Sequence, residues 1–168
     1  MKTHNCIFWI HLLMALLLPN SIRSQNFKQK AETYFSKHQS KNAMNALILK
    51  SLPNLNDAKK IFKTEEDAKQ FMLLMESLEK QMKAQAVGED EALPKLEINT
   101  FTLKEIGKGE AHYNQGLLKI LDKFDPKVRF YSVRLLPESE FEKGFSYIYW
   151  MFVNNKWIFI SKPQQAFK

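Results

Sequence analysis

Residues Tyr147–Pro163, YIYWMFVNNKWIFISKP, constrain the fold more than any other stretch. Six of these seventeen residues are aromatic, and apolar side chains alternate on both sides of the chain. Alternation with period two is the strand pattern. Asn154-Asn155 divides it, and because asparagine tolerates positive φ the pair fits a two-residue hairpin turn. A hairpin that is apolar on both sides needs cover on both. One set, Ser146, Ile148, Trp150 and Phe152, has almost no polar character at its centre and is expected to meet helices in the core. The other set, Phe145, Tyr147, Tyr149, Met151 and Val153, is amphipathic. Tyrosine presents an apolar body and a polar tip, which suits a pocket wall or an interface, and aromatic residues also pair well across strands with no further role. Tyr147 and Tyr149 are the ligand-binding candidates on this face, with Lys156 and Lys162 placed to screen an anionic group nearby.

The segments before the hairpin read as helices and then strands. Phe27, Ala31, Tyr34 and Phe35 recur at helical spacing, as do Met44, Leu47, Ile48 and Leu52, and Pro53 ends that second run. Asn56 is expected to cap a short helix through Phe62. Thr64 with Asp67 marks another helix start, running from Glu65 to about Ala86 with Ala68, Phe71, Met72, Met75, Leu78 and Met82 on one face. GEDEALP, Gly88 to Pro94, reads as an acidic loop. KLEINTFTLKEI then alternates Leu96 and Ile98 before shifting face to Phe101 and Leu103, which reads as a strand with a bulge. A further helix is expected through Tyr113, Leu117, Ile120, Leu121 and Phe124, followed by a strand at VRFYSVRLL and the two strands of the hairpin. Tyr131 and Arg134 alternate to opposite faces of the first of these strands. The order gives an α+β domain, with N-terminal helices packed on one face of a curved antiparallel sheet of about four strands.

The amino terminus has its own pattern. Lys2 precedes an apolar run from Ile7 to Leu18, and small or polar residues follow to Ser24, the layout of a secretory signal peptide. Twelve residues fall well short of the roughly 20 that a spanning helix needs. Residues 1–24 are therefore expected to be a leader cut after Ser24, leaving one domain over 25–168 with no integral membrane span. Cys6, the only cysteine, precedes the apolar run, so it is not placed for lipoprotein anchoring and the mature chain has no disulfide. Export to the periplasm or beyond the cell is the expected location. A chain of this length buries roughly 70% of its unfolded surface around one core without such a staple.

Of the formal charge of +7, Lys2 and Arg23 lie in the leader, leaving +5 on the mature chain. Its basic residues are lysines apart from Arg129 and Arg134, and they are mixed with acids, as in KKIFKTEEDAKQ. Phosphate and base recognition favour the arginine fork, so no nucleic-acid partner is expected. There is no Gly-rich phosphate loop, H-E-x-x-H or G-x-S-x-G pattern. Only His38 and His112 follow the leader, and their spacing does not suggest a metal site. No cofactor is expected. His112 is the one general-base candidate, with Glu110 and Asp122 in sequence reach. Asp122 lies ten residues on, about 280° around a helix, so the two do not share a face.

The order of elements, helices first and a curved antiparallel sheet last, resembles the NTF2-like (cystatin-like) α+β cone. LPNLNDAKKIF (Leu52 to Phe62), FYSVR (Phe130 to Arg134) and KWIFISKPQQAF (Lys156 to Phe167) resemble stretches of a group of short exported bacterial proteins of unknown function. The resemblance implies a ligand or an active residue held between sheet and helices, or a noncatalytic binding or dimerising module. The expectation is an exported, noncatalytic module of the bacterial cell envelope. It would bind a small or extended apolar ligand, or itself, through the tyrosine face. The alternative is a hydrolase or isomerase using His112 with a carboxylate.

Overall fold

The computed structural model describes residues 20–84, 90, 92–109, 115–138 and 144–168. Helix α1 spans Asn20–Phe35, α2 Lys41–Lys50, α3 Leu55–Ile61 and α4 Glu65–Ala84. Strand β1, Lys95–Thr102, leads into the short α5, Leu103–Gly107. After α6, Gln115–Leu118, come β2, Arg129–Leu136, β3, Phe145–Val153, and β4, Lys156–Phe159. The expected cut after Ser24 falls inside α1, and most of the expected leader lies outside the described residues.

Local chemistry sets the helix boundaries. Ser40 caps α2 by accepting from the Ala43 N–H at 3.2 Å, and Met44, Leu47 and Ile48 bury one face of that helix. The cap of α3 is Asn54, two residues before the expected Asn56. Asn54 accepts from the Asp57 N–H, and the Asp57 carboxylate accepts from the Asn54 N–H, both at 3.0 Å. This reciprocal pair satisfies two orphan donors, whereas Asn56 would have no acid at the matching position. Thr64 and Asp67 start α4 as expected: the Asp67 N–H donates to Thr64 Oγ1 at 3.0 Å.

The four strands form one open antiparallel sheet in the order β1-β2-β3-β4. Pairing of β1 with β2 runs without interruption from Lys95 opposite Leu136 to Thr102 opposite Arg129. The bulge expected in β1 is therefore not there. Ile98 and Phe101 point to opposite faces, and each meets apolar neighbours, because both faces of the sheet are covered. On one face, Ala31 and Phe35 of α1 and Met44, Leu47 and Ile48 of α2 pack on Ile98, Tyr131, Val133, Leu135, Trp150, Trp157 and Phe159. On the other, α3 and α4 bring Ala58, Ile61, Phe62, Ala68, Phe71 and Met75 onto Phe130, Tyr149, Met151, Ile158 and Ile160. Helices on one face alone would have left half of the hairpin's apolar surface in water.

The bulge lies in β3 instead. Tyr131 pairs with Trp150 and Ser132 with Ile148, so Tyr149 is an extra residue, and it has a φ of 80°. Ile148 and Tyr149 therefore share the α3–α4 face, while Tyr147 lies with Trp150 and Phe152 on the α1–α2 face.

The helix expected through Phe124 is broken into α6 and a single 3-10 turn at Leu121–Lys123. Backbone pairing competes with the helix here. The Lys63 N–H donates to the Lys123 carbonyl at 2.8 Å, and the Asp125 N–H donates to the Ile61 carbonyl at 2.9 Å. Phe62 and Phe124 form the bridge between these bonds, and their rings stack 5.0 Å apart.

The hairpin turn has φ of 51° at Asn154 and 60° at Asn155, positive values that a two-residue turn requires and asparagine tolerates. The two differ in their further duties, since Asn154 Nδ2 donates to the buried Asp57 at 3.1 Å. Asn155→Gly is expected to leave stability unchanged or raise it by about 0.5 kcal/mol. Asn154→Gly is expected to lower it by about 1 kcal/mol, because an acceptor loses its donor. Urea melts of the two variants read the contrast, and equal effects would contradict it.

Candidate functional site

A cavity of about 1120 Å³ opens between α1, the end of α2 and the hairpin tip. Helix periodicity builds its first wall. Asn26, Lys30, Thr33 and Lys37 recur at spacings of four, three and four, next to the stripe that buries Ala31 and Phe35. Lys37 lies just beyond the last turn of α1. Leu47, Lys50 and Ser51 close one end, and Phe152, Asn155, Lys156 and Trp157 form the opposite wall.

Aromatic rings make the floor. Trp157 is only 5% exposed. Its ring lies 5.0 Å from Phe35, 4.9 Å from Tyr131, 5.2 Å from Phe152 and 5.8 Å from Tyr34. Tyr34 and Phe152 are half-buried and turn part of their surface to the cavity. Lys30 Nζ lies 3.9 Å from the Phe152 ring centroid, a cation over an aromatic face. His38 stands beside Tyr34, ring centroids 5.7 Å apart, with Nδ1 3.4 Å from the Tyr34 carbonyl oxygen.

The walls are pinned from outside. The Leu93 N–H donates to the Gln39 carbonyl at 2.8 Å, fixing the α1–α2 corner to the entry of β1. The Phe159 N–H donates to the Ser51 carbonyl at 2.8 Å and ties the end of α2 to β4. Lys156 Nζ lies 2.7 Å from Asp57 Oδ2, and Asp57 is 1% exposed. Burial pushes the Asp57 carboxyl up. The Lys156 ammonium, the Asn54 N–H and the Asn154 amide outweigh that and hold it below its ordinary value of 3.8. Asp67 is similar: burial raises it, while the Thr64 hydroxyl and Lys123 bring it below the same value.

The residues expected to bind are not brought together. The bulge puts Tyr147 and Tyr149 on opposite faces of the sheet, so they do not share a wall. Tyr149 is buried, and burial pushes its hydroxyl pKa up to about 12. Tyr147 is half-buried among the α1–α2 layer, and its pKa is also raised by burial. Neither lines the groove. Lys156 does, but its charge is held by Asp57. Lys162 is exposed in a left-handed turn before Pro163 and does not line the groove. His112 and Glu110 lie outside the described residues. Asp122 is exposed in the 3-10 turn.

Among the described residues no group of three His, Cys, Asp or Glu side chains is placed to hold a metal ion, and no helix is long and apolar enough to cross a membrane. Compared with known proteins, the chain matches no family model, no curated protein and no solved structure.

Helical spacing places Tyr34 in the α1 stripe and alternation places Phe152 in a core-facing set, and neither pattern shows that these rings, with Lys30, Lys37 and Lys50, line a groove. The signal in the sequence is the polar repeat of Asn26, Lys30, Thr33 and Lys37 alongside the apolar stripe of α1.

Asp57→Asn is expected to cost about 2 kcal/mol near neutral pH, because Lys156 and Asn154 lose a charged acceptor that little water can replace. Both Asp57 and Asp67 titrate lower in the folded chain than in the unfolded one. The stability they add is complete above their unfolded value and is lost as pH falls through their folded values. Thermal melts are therefore expected to be level from about pH 7 to 5 and to drop below about pH 4, with a shallower acid limb in Asp57→Asn. A wild-type Tm that rises below about pH 4 would contradict this.

Proposed function

We propose that this chain is a noncatalytic binding module that holds a small or extended apolar ligand in the groove between α1 and the β3–β4 hairpin. The observation that carries the reading is the aromatic floor. Tyr34, Phe152 and Trp157 present ring surface inside a concavity of about 1120 Å³, slightly above the size range of small-molecule sites. Among the described residues His38 is the imidazole in the lining, and no carboxylate lines the groove beside it. That composition favours holding a molecule over acid–base chemistry. Both sheet faces are covered within one chain, which favours a ligand over a homodimer formed through the sheet.

The reading keeps export to the bacterial cell envelope, supported by the leader-like pattern of residues 1–24. It also keeps kinship with NTF2-like cones, supported by helices that precede an antiparallel meander and by the bulge that bends β3. Sequencing the amino terminus of the protein recovered from its own cells is expected to begin at Gln25. An intact Met1 on the recovered protein would overturn the export reading.

Trp150 and Trp157 are the tryptophans of residues 25–168, and Trp157 lines the groove, so a change in intrinsic emission reports on its occupation. Dodecanol is expected to give a saturable change in that emission. The Tyr34→Ala/Phe152→Ala variant is expected to weaken binding about tenfold or more, each aromatic contact being worth about 1 kcal/mol, while still melting cooperatively. No saturable response in the wild-type protein would overturn the reading.

A further inference from the structure

The charge of the groove is one-sided. Lys30, Lys37, Lys50, Lys156 and His38 line it, and among the described residues neither aspartate nor glutamate does. Lys156 is neutralised by Asp57. Lys30, Lys37 and Lys50 have no carboxylate partner among the described residues. Elsewhere on the described surface lysines occur both paired with an acid, as Lys28, Lys59, Lys69, Lys83 and Lys123 are, and without such a partner, so what marks the groove is that three of the latter share one concavity. Lys50 sits in the last turn of α2 and Lys37 just past α1, where a cation complements the helix dipole. That interaction is weak at an exposed helix end and leaves both charges open to a ligand. Lys30 lies mid-helix and has no such role, and its ammonium stands over the Phe152 ring that floors the cavity. Cationic and apolar surfaces thus meet at one place.

We infer that the groove selects an anionic amphiphile: a molecule whose apolar body lies on Tyr34, Phe152 and Trp157 and whose single carboxylate or phosphate head meets the rim formed by Lys30, Lys37 and Lys50. The inference rests on the reading of the groove as a binding site and adds the chemical class of the ligand. A neutral molecule would leave three lysines unpaired at the rim, and a cationic one would be repelled by them. Solvent screens each pairing, so one exposed ion pair contributes roughly two- to fivefold in affinity, and two or three together about tenfold.

The test compares four probes of one chain length, dodecanol, dodecanoate, dodecyl phosphate and dodecyltrimethylammonium, each below its aggregation limit, by tryptophan emission of the purified protein at low salt. Dodecanoate and dodecyl phosphate are expected to bind about tenfold more tightly than dodecanol, and the ammonium probe most weakly. The anionic advantage is expected to shrink at about 0.5 M salt, where screening acts over a few ångströms. It is also expected to be lost in Lys30→Gln/Lys37→Gln, which should still melt cooperatively and should lose more affinity for the two anions than for dodecanol. Whichever anion binds better identifies a carboxylate or a phosphate source, and either order supports the inference. Equal binding of dodecanol and both anions would overturn the anionic selectivity and leave the groove as a site for neutral ligands. Failure of all four probes to saturate would overturn the groove itself and this inference with it.

Discussion

One extra residue in β3 decides how the sheet is buried. At Tyr149 the chain takes a φ of 80°, a conformation that costs a non-glycine residue on the order of 1–3 kcal/mol. Burying one large apolar side chain returns a similar amount. The bulge places Tyr149 with Ile148 and Met151 under α3 and α4, and it sends Trp150 and Phe152 to α1 and α2. Without it the outer half of the strand would present each side chain to the opposite layer. The two cores would then exchange partners along half of β3, and Trp150, fully buried against Phe35 and Phe159, would lose that packing.

The hairpin tip depends on a second constraint. Asp57 is at once the third residue of α3, the partner of Lys156 and the acceptor for Asn154. A buried carboxylate is costly unless its oxygens are occupied, and here a helix start, a turn and a strand all supply donors. The α3 side of the molecule therefore fixes the position of a turn whose far surface faces the groove. This is how Phe152, Asn155, Lys156 and Trp157 come to form a wall opposite α1. It also removes Lys156 from the charges open to a ligand.

Much of the fold was legible in the residues, for reasons that are local. The stripe of Ala31 and Phe35, the stripe of Met44, Leu47 and Ile48, the Thr64–Asp67 cap and the Asn154-Asn155 turn are all set by neighbours within a few positions, and the structure has each of them. The misreadings arose where distant chain decided. The face change at Ile98 and Phe101 looked like a bulge because period two alone does not show that both faces are covered. The helix through Phe124 broke because the α3–α4 link pairs with that segment. Tyr147 and Tyr149 looked like one wall because simple alternation passes over a bulge that only the partner strand β2 reveals. The groove was less visible still, since the hairpin that forms one wall lies far in sequence from the α1 and α2 residues that form the rest. Only the polar repeat on α1 pointed toward it.

Native mass spectrometry of the protein purified from its own cells without denaturant, with the Tyr34→Ala/Phe152→Ala variant beside it, decides whether the groove holds a ligand. A monomer carrying a reproducible added mass that the variant loses is the expected result. A bare protein, or an added mass that the variant keeps, would contradict it.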